Sequence, residues 1–104
     1  MSTTVHMCPI EVRTTAEFDS WFTQLGDRAG KARIHARIDR LSLGSPGQHR
    51  VLAGGICEMK VDCGPGYRVY YARKRIAVVV LLCGGDKSTQ AADIRRAIAL
   101  AKRL

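Results

Sequence analysis

The chain is poor in acid, poor in aromatic residues and without any long apolar run. Nine Asp and Glu stand against 17 Lys and Arg in 104 residues, a formal charge of +8. Such a surplus favours a polyanionic or an acidic protein partner, and the reading that it only keeps a small domain soluble, which spans a magnitude of roughly 2 to 8, just covers it as well. The longest apolar run, Ile76 to Cys83, is far too short to span a bilayer. No signal-peptide pattern opens the chain, so the cytoplasm is the expected compartment and no membrane partner is expected. The four cysteines, Cys8, Cys57, Cys63 and Cys83, form no C-x-x-C pair and have no histidine at zinc-finger spacing. No metal, no cofactor and no disulfide is therefore expected. Without repeats, low-complexity tracts or linkers, residues 1–104 read as one domain.

What is present is ordered punctuation between apolar patterns. Ile10 and Val12 alternate with Glu11 and Arg13, a half-buried strand that Pro9 confines to an edge or a strand start. Thr14 and Glu17 form a capping box ahead of Phe18, Trp21, Phe22 and Leu25, which share one helical face. That stripe holds the single Trp and both Phe, and core packing explains it better than base stacking does. After Gly26-Asp27 a second helix runs to about Leu43, with Ile34, Ile38 and Leu41 inward and Arg33, Arg37 and Arg40 on an adjacent face. That basic face reads equally as a solvated surface or as a contact for nucleic acid or protein. The two helices form an αα-hairpin.

A short strand near Arg50 to Leu52 is broken by Gly54-Gly55. Cys57, Met59 and Val61 then alternate with Glu58, Lys60 and Asp62, and across Gly64-Pro65-Gly66 the residues Tyr67, Val69 and Tyr71 alternate with Arg68, Tyr70 and Ala72. This is a hairpin with one apolar and one polar face. Arg73-Lys74-Arg75 reads as a basic tip, and Ile76 to Cys83 as a central strand covered on both faces. Gly84-Gly85-Asp86-Lys87 breaks that strand, and Ser88 or Thr89 caps a last helix with Ile94, Ile98 and Ala101 on one face. The expected fold is α+β, with an antiparallel sheet, two N-terminal helices and one C-terminal helix. Helices on one side of the sheet would leave its other face free.

Three segments carry a family resemblance: Glu17-Phe18-Asp19-x-Trp21, then Gly64-Pro65-Gly66-Tyr67-Arg68-Val69-Tyr70-Tyr71, then Leu81-Leu82-Cys83-Gly84-Gly85-Asp86-Lys87-Ser88-x-Gln90-x-x-Asp93-Ile94. Together, and in order along nearly the whole chain, they resemble the HigB-like addiction module killer proteins of the RelE/ParE superfamily. The resemblance implies a RelE-like fold, a toxin neutralised in a hetero-oligomer by an antitoxin encoded beside it, and cleavage of mRNA on the ribosome. ParE-like relatives poison DNA gyrase instead, so a non-catalytic toxin acting on gyrase or another protein is the alternative.

For metal-free RNA cleavage the ribose 2′-hydroxyl must lose a proton, the crowded phosphate must be stabilised and the leaving 5′-oxygen must gain a proton. The resemblance puts Arg68 at the RelE-type catalytic arginine, where a guanidinium can hold two phosphate oxygens. The competing reading pairs Arg68 with Glu58 or Asp62 on the sheet surface. Lys60, on the same face, matches a lysine of the corresponding RelE strand and is a base or a phosphate ligand. Lys87 falls near the second RelE arginine, and Asp93 stands at the place of RelE's C-terminal tyrosine. The expected catalytic set is thus Arg68, Lys60, Lys87 and Asp93, with Arg33, Arg37, Arg40, Arg73, Lys74 and Gln90 binding RNA. No histidine follows His49, so the histidine that HigB-type enzymes place near their C-terminus is missing, and His49 itself reads as an exposed loop residue.

Overall fold

The computed structural model describes residues 9–104, so Cys8 lies outside the described residues. Its elements run β1 (Glu11–Thr14), α1 (Ala16–Gln24), α2 (Arg28–Ser42), β2 (His49–Val51), β3 (Ile56–Val61), β4 (Tyr67–Arg75), β5 (Val78–Gly85) and α3 (Gln90–Ala101). The strands form one sheet in the order β1-β5-β4-β3-β2. This is the α+β, RelE-like arrangement that the resemblance implies, with differences that follow from long-range pairing.

The sheet is mixed rather than antiparallel. From β2 to β5 each strand pairs with its sequence neighbour antiparallel, but β1 returns beside β5 in parallel, with Glu11 opposite Val78 and Thr14 opposite Leu81. Hairpin turns impose antiparallel pairing only on strands that they join; β1 is separated from its partner by most of the chain, so either direction was open to it.

Helices cover both faces. Phe18, Ile34 and Leu41 of α1 and α2 pack with Met59, Val61, Tyr67, Val69, Tyr71, Val79 and Leu81 on one side. Ala97 and Leu100 of α3 pack with Ile56, Tyr70, Ala72, Val80, Leu82 and Cys83 on the other. The second face is therefore not free as expected, and the continuous burial of Val78 to Gly85 is its cause and its sign: a strand with no polar side must be roofed twice. Register slips between Tyr70 and Tyr71, where Leu81 and Cys83 are the partners across β5 and Leu82 is the extra residue. That bulge puts both Leu82 and Cys83 on the α3 face, so β5 loses alternation there.

Boundaries moved where local signals competed. Thr15, not Thr14, caps α1 by accepting from the Phe18 amide. The Thr15 hydroxyl also donates to the Leu82 carbonyl, so one side chain both caps the helix and fastens it to the central strand. Thr15→Ala should lower stability by about 1–2 kcal/mol, read from the urea midpoint. Ile76 is not in β5 but at the tip of the β4–β5 turn, 90% exposed. Asp86 caps a 3-10 turn, Lys87–Thr89, that leads into α3, so neither Ser88 nor Thr89 supplies a side-chain cap to that helix.

Candidate functional site

Alternation along β3 and β4 puts Glu58, Lys60, Arg68 and Tyr70 on the α3 face, and α3 roofs only part of it. Arg68 stands directly opposite Lys60, and Glu58 opposite Tyr70. β2 adds Arg50, paired with Glu58. Where the roof ends, a cleft of about 320 Å³ opens, lined by Gln48, His49, Arg50, Glu58, Lys60, Arg68 and Gln90.

Charge in the cleft is organised around one carboxylate. Glu58 is 4% exposed; its Oε1 accepts from Arg50 Nε at 2.7 Å, its Oε2 accepts from Gln90 Nε2 at 2.8 Å, and Arg68 Nε lies 3.7 Å from Oε2. Burial pushes the Glu58 carboxyl up, but the hydrogen bonds from Arg50 and Gln90 outweigh it and hold the group below its ordinary range. Glu58 is thus ionised at neutral pH. Arg68, 7% exposed, spends Nη1 on the Gly66 carbonyl at 2.9 Å. Its Nε has no hydrogen-bond partner among the described residues. Buried donors without acceptors are uncommon and costly; this one faces the Glu58 carboxylate across 3.7 Å. Beneath the cluster the Tyr70 hydroxyl is likewise buried without a partner among the described residues, and burial, with the Glu58 charge beside it, pushes that phenol above its ordinary range.

The β4 end of the cleft is held firmly. Tyr67, next to Arg68, donates to Asp27 Oδ2 at 2.8 Å, while Asp27 Oδ1 accepts from the Gly30 amide and so caps α2. The amide of Gly30 and then Tyr67 lower the Asp27 carboxyl; burial, then Asp27, push the Tyr67 phenol up to about 12. Gly30 is required at this contact, since a Cβ there would lie 2.5 Å from the Tyr67 ring.

The residues singled out in the sequence do not all meet. Lys60, Arg68 and Gln90 come together in the cleft. Lys87 is exposed beside its β4 end, its amide 3.4 Å from the Pro65 carbonyl and its side chain near Gly66. Asp93 does not line the cleft. It is buried against the backbone of Gly85, where Oδ2 accepts from the Thr89 hydroxyl. Arg33 and Arg40 are exposed on α2, across the sheet from the cleft. Arg73 and Lys74 sit roughly 17 and 20 Å along β4 from Arg68, taking about 3.3 Å per residue, at the other end of that strand.

Arg37 has a different occupation. Its Nη1 donates to the Lys60 carbonyl at 2.6 Å and its Nη2 to the Pro46 and Gln48 carbonyls at 2.8 and 3.1 Å. Burial, then the charge of Arg40, lower its pKa. One guanidinium thus binds α2 and the loop after it to the strand that carries Lys60. Arg37→Met should cost about 1–3 kcal/mol in stability, the usual penalty for carbonyls that lose their donors, and thermal melting would measure it.

Glu58, Arg50 and Gln48 were not singled out as cleft residues from the sequence, although Glu58 was named as a partner for Arg68. The signal was there for Glu58, which shares the alternation face of Lys60. For Arg50 and Gln48 it depended on β2 pairing with β3, which a three-residue strand does not announce. His49 pairs with Met59, a residue of the opposite face, and its Nδ1 lies 2.8 Å from the Gly47 carbonyl. Among the described residues no helix is long and apolar enough to cross a membrane, and no group of three or more His, Cys, Asp or Glu is placed to hold a metal ion.

A family model described as phage derived protein Gp49-like (DUF891) matches residues 20–104. An uncharacterized protein of Haemophilus influenzae is 47% identical over 95 residues, which are 91% of this chain and 96% of that relative.

Proposed function

The chain belongs to the phage-derived Gp49-like family, a family associated with toxin–antitoxin systems and related to RelE-like toxins, and on that premise we propose that it is the toxin of such a pair, HigB-like, and cuts mRNA on the ribosome without a metal ion. It acts in the cytoplasm and is silenced in a complex with its antitoxin. The observation that carries the reading is the Arg68 guanidinium, buried at the cleft floor, opposite Lys60 and with an unsatisfied Nε.

The chemistry is internal transfer. The ribose 2′-oxygen gives up its proton and bonds to phosphorus, the bond from phosphorus to the 5′-oxygen breaks, and that oxygen takes a proton. Arg68 and Lys60 hold the non-bridging oxygens, whose charge grows as the phosphate becomes five-coordinate. Glu58, ionised within the cleft, is the acceptor for the 2′-proton. Lys87 gives the proton of its ammonium group to the leaving oxygen, and Gln90 contacts RNA at the rim. Asp93 acts as a positioning residue that fixes α3 against β5. Arg33 and Arg40 offer phosphate contacts outside the cleft.

One observation favours the alternative, a non-catalytic toxin that binds gyrase or another protein: both Glu58 oxygens already accept hydrogen bonds. The end groups of the products decide. Purified protein added to ribosomes programmed with a defined mRNA should yield fragments with 5′-hydroxyl and 2′,3′-cyclic phosphate ends; 5′-phosphate ends, or no fragments, would sink the proposal.

A further inference from the structure

On the face opposite the cleft, and toward the other end of the sheet, lies a second depression of about 240 Å³ lined by Ile10, Leu41, Val51, Cys57, Tyr71 and Arg73, among others. Its rim collects apolar side chains that have no cover. Among the described residues the large hydrophobic side chains left exposed are Leu43 (60%), Val51 (72%), Ile76 (90%) and Leu104 (47%). Val51 lines this groove, and the tip that carries Ile76 adjoins it through the Arg73 side chain. Leu43 lies between Ser42, whose carbonyl accepts from the Ile10 amide at 2.7 Å, and Gly44 of the groove wall. Ile76 sits on the β4–β5 tip, where its carbonyl accepts at 2.7 Å from Nη1 of Arg73, a groove residue, and the next carbonyl, Ala77, accepts from the Glu11 amide. Contiguous exposed apolar surface on a small protein marks an interaction site, whereas single exposed residues do not.

The charge around the groove is mainly positive. Arg73, Lys74 and Arg75 are consecutive and exposed beside it, and Arg40 is exposed at the end of α2. The acid at this rim, Glu11, is already paired with Arg13. An apolar floor with a basic border suits a segment that carries apolar anchors flanked by Asp and Glu.

We propose that this groove is the docking site for an acidic, apolar-anchored segment of the antitoxin, with Val51 and Ile76 as the contacts that matter most. The inference rests on the toxin–antitoxin reading and goes beyond it by assigning the surface. It also gives Arg73 and Lys74 an acidic protein, rather than RNA, as their ligand.

Val51→Glu and Ile76→Glu place a carboxylate where the partner's acids would crowd it, at positions exposed enough to leave folding alone. The probe is the antitoxin made from the reading frame beside the toxin's, titrated against the purified chain by calorimetry. Each variant should bind at least 10-fold more weakly and the double variant at least 100-fold, while both still arrest growth when expressed alone and escape rescue by the antitoxin. Undiminished affinity, with hydrogen-exchange protection elsewhere, would overturn the groove assignment and leave the toxin–antitoxin reading standing. Failure of the unaltered chain to bind that product would overturn both. A dimer of the unaltered chain that the same substitutions dissolve would assign the groove to a second copy and overturn the inference.

Discussion

Arg68→Ala is expected to lower mRNA cleavage at least about 100-fold, the scale seen when one preorganised donor to a developing oxyanion is removed. Two features set the size of the effect. The guanidinium is at the floor of the cleft, 7% exposed, where few water molecules can replace it. It is also fixed before substrate arrives, by Gly66 on one side and the Glu58 charge on the other, so little reorganisation is needed during reaction. Arg68→Lys should recover only part of the loss, because an ammonium restores the charge but not two parallel donors. Folding should survive: Glu58 keeps Arg50 and Gln90, and a loss of about 1–3 kcal/mol is expected. Cleavage rates on programmed ribosomes, measured beside a thermal melt of each variant, separate the chemical loss from the structural one.

The largest effect on stability should come from Gly85→Ala. A Cβ at Gly85 would lie 1.8 Å from Asp93 Oδ2, 2.7 Å from Asp93 Cγ and 2.8 Å from Thr89 Oγ1. Asp93 is buried and tied to Thr89, so it has little room to retreat. Overpacking of this kind costs about 3 kcal/mol or more, a fall in melting temperature of roughly 12–24 °C for a domain this small. Gly84→Ala meets the Trp21 ring at 2.3 Å on the opposite face, but that ring is only half-buried and can swing outward, so a smaller loss is expected. Gly26→Ala, with nothing within 4 Å, should be neutral or slightly stabilising. Adding Asp93→Ala to Gly85→Ala should restore part of the loss, since the two positions share one contact and cannot be additive.

Those glycines also mark where sequence reading reached its limit. Gly84-Gly85 looks like a strand stop, because glycine is most often punctuation. In the fold both belong to β5, and each is small because something packs against it, Trp21 from one side and Asp93 from the other. Nothing local distinguishes a glycine that turns the chain from one that admits a neighbour. The cleft was more legible: period-two alternation alone put Lys60, Arg68 and Glu58 on one face, and the register makes Lys60 and Arg68 direct partners. Arg37 was the opposite case. Its spacing with Arg33 and Arg40 suggested a shared basic surface, yet its two terminal nitrogens are taken by carbonyls that only the folded loop brings near. The direction of β1 and the placement of α3 on the far face were similarly settled by contacts between distant segments.

The measurement that tests the account most directly is inducible expression followed by mapping of mRNA 5′ ends, the unaltered chain beside Arg68→Ala. New ends within translated frames are expected from the unaltered chain, and they should vanish in the variant while the folded protein persists. Growth arrest without new ends, or ends that survive loss of Arg68, would contradict the account.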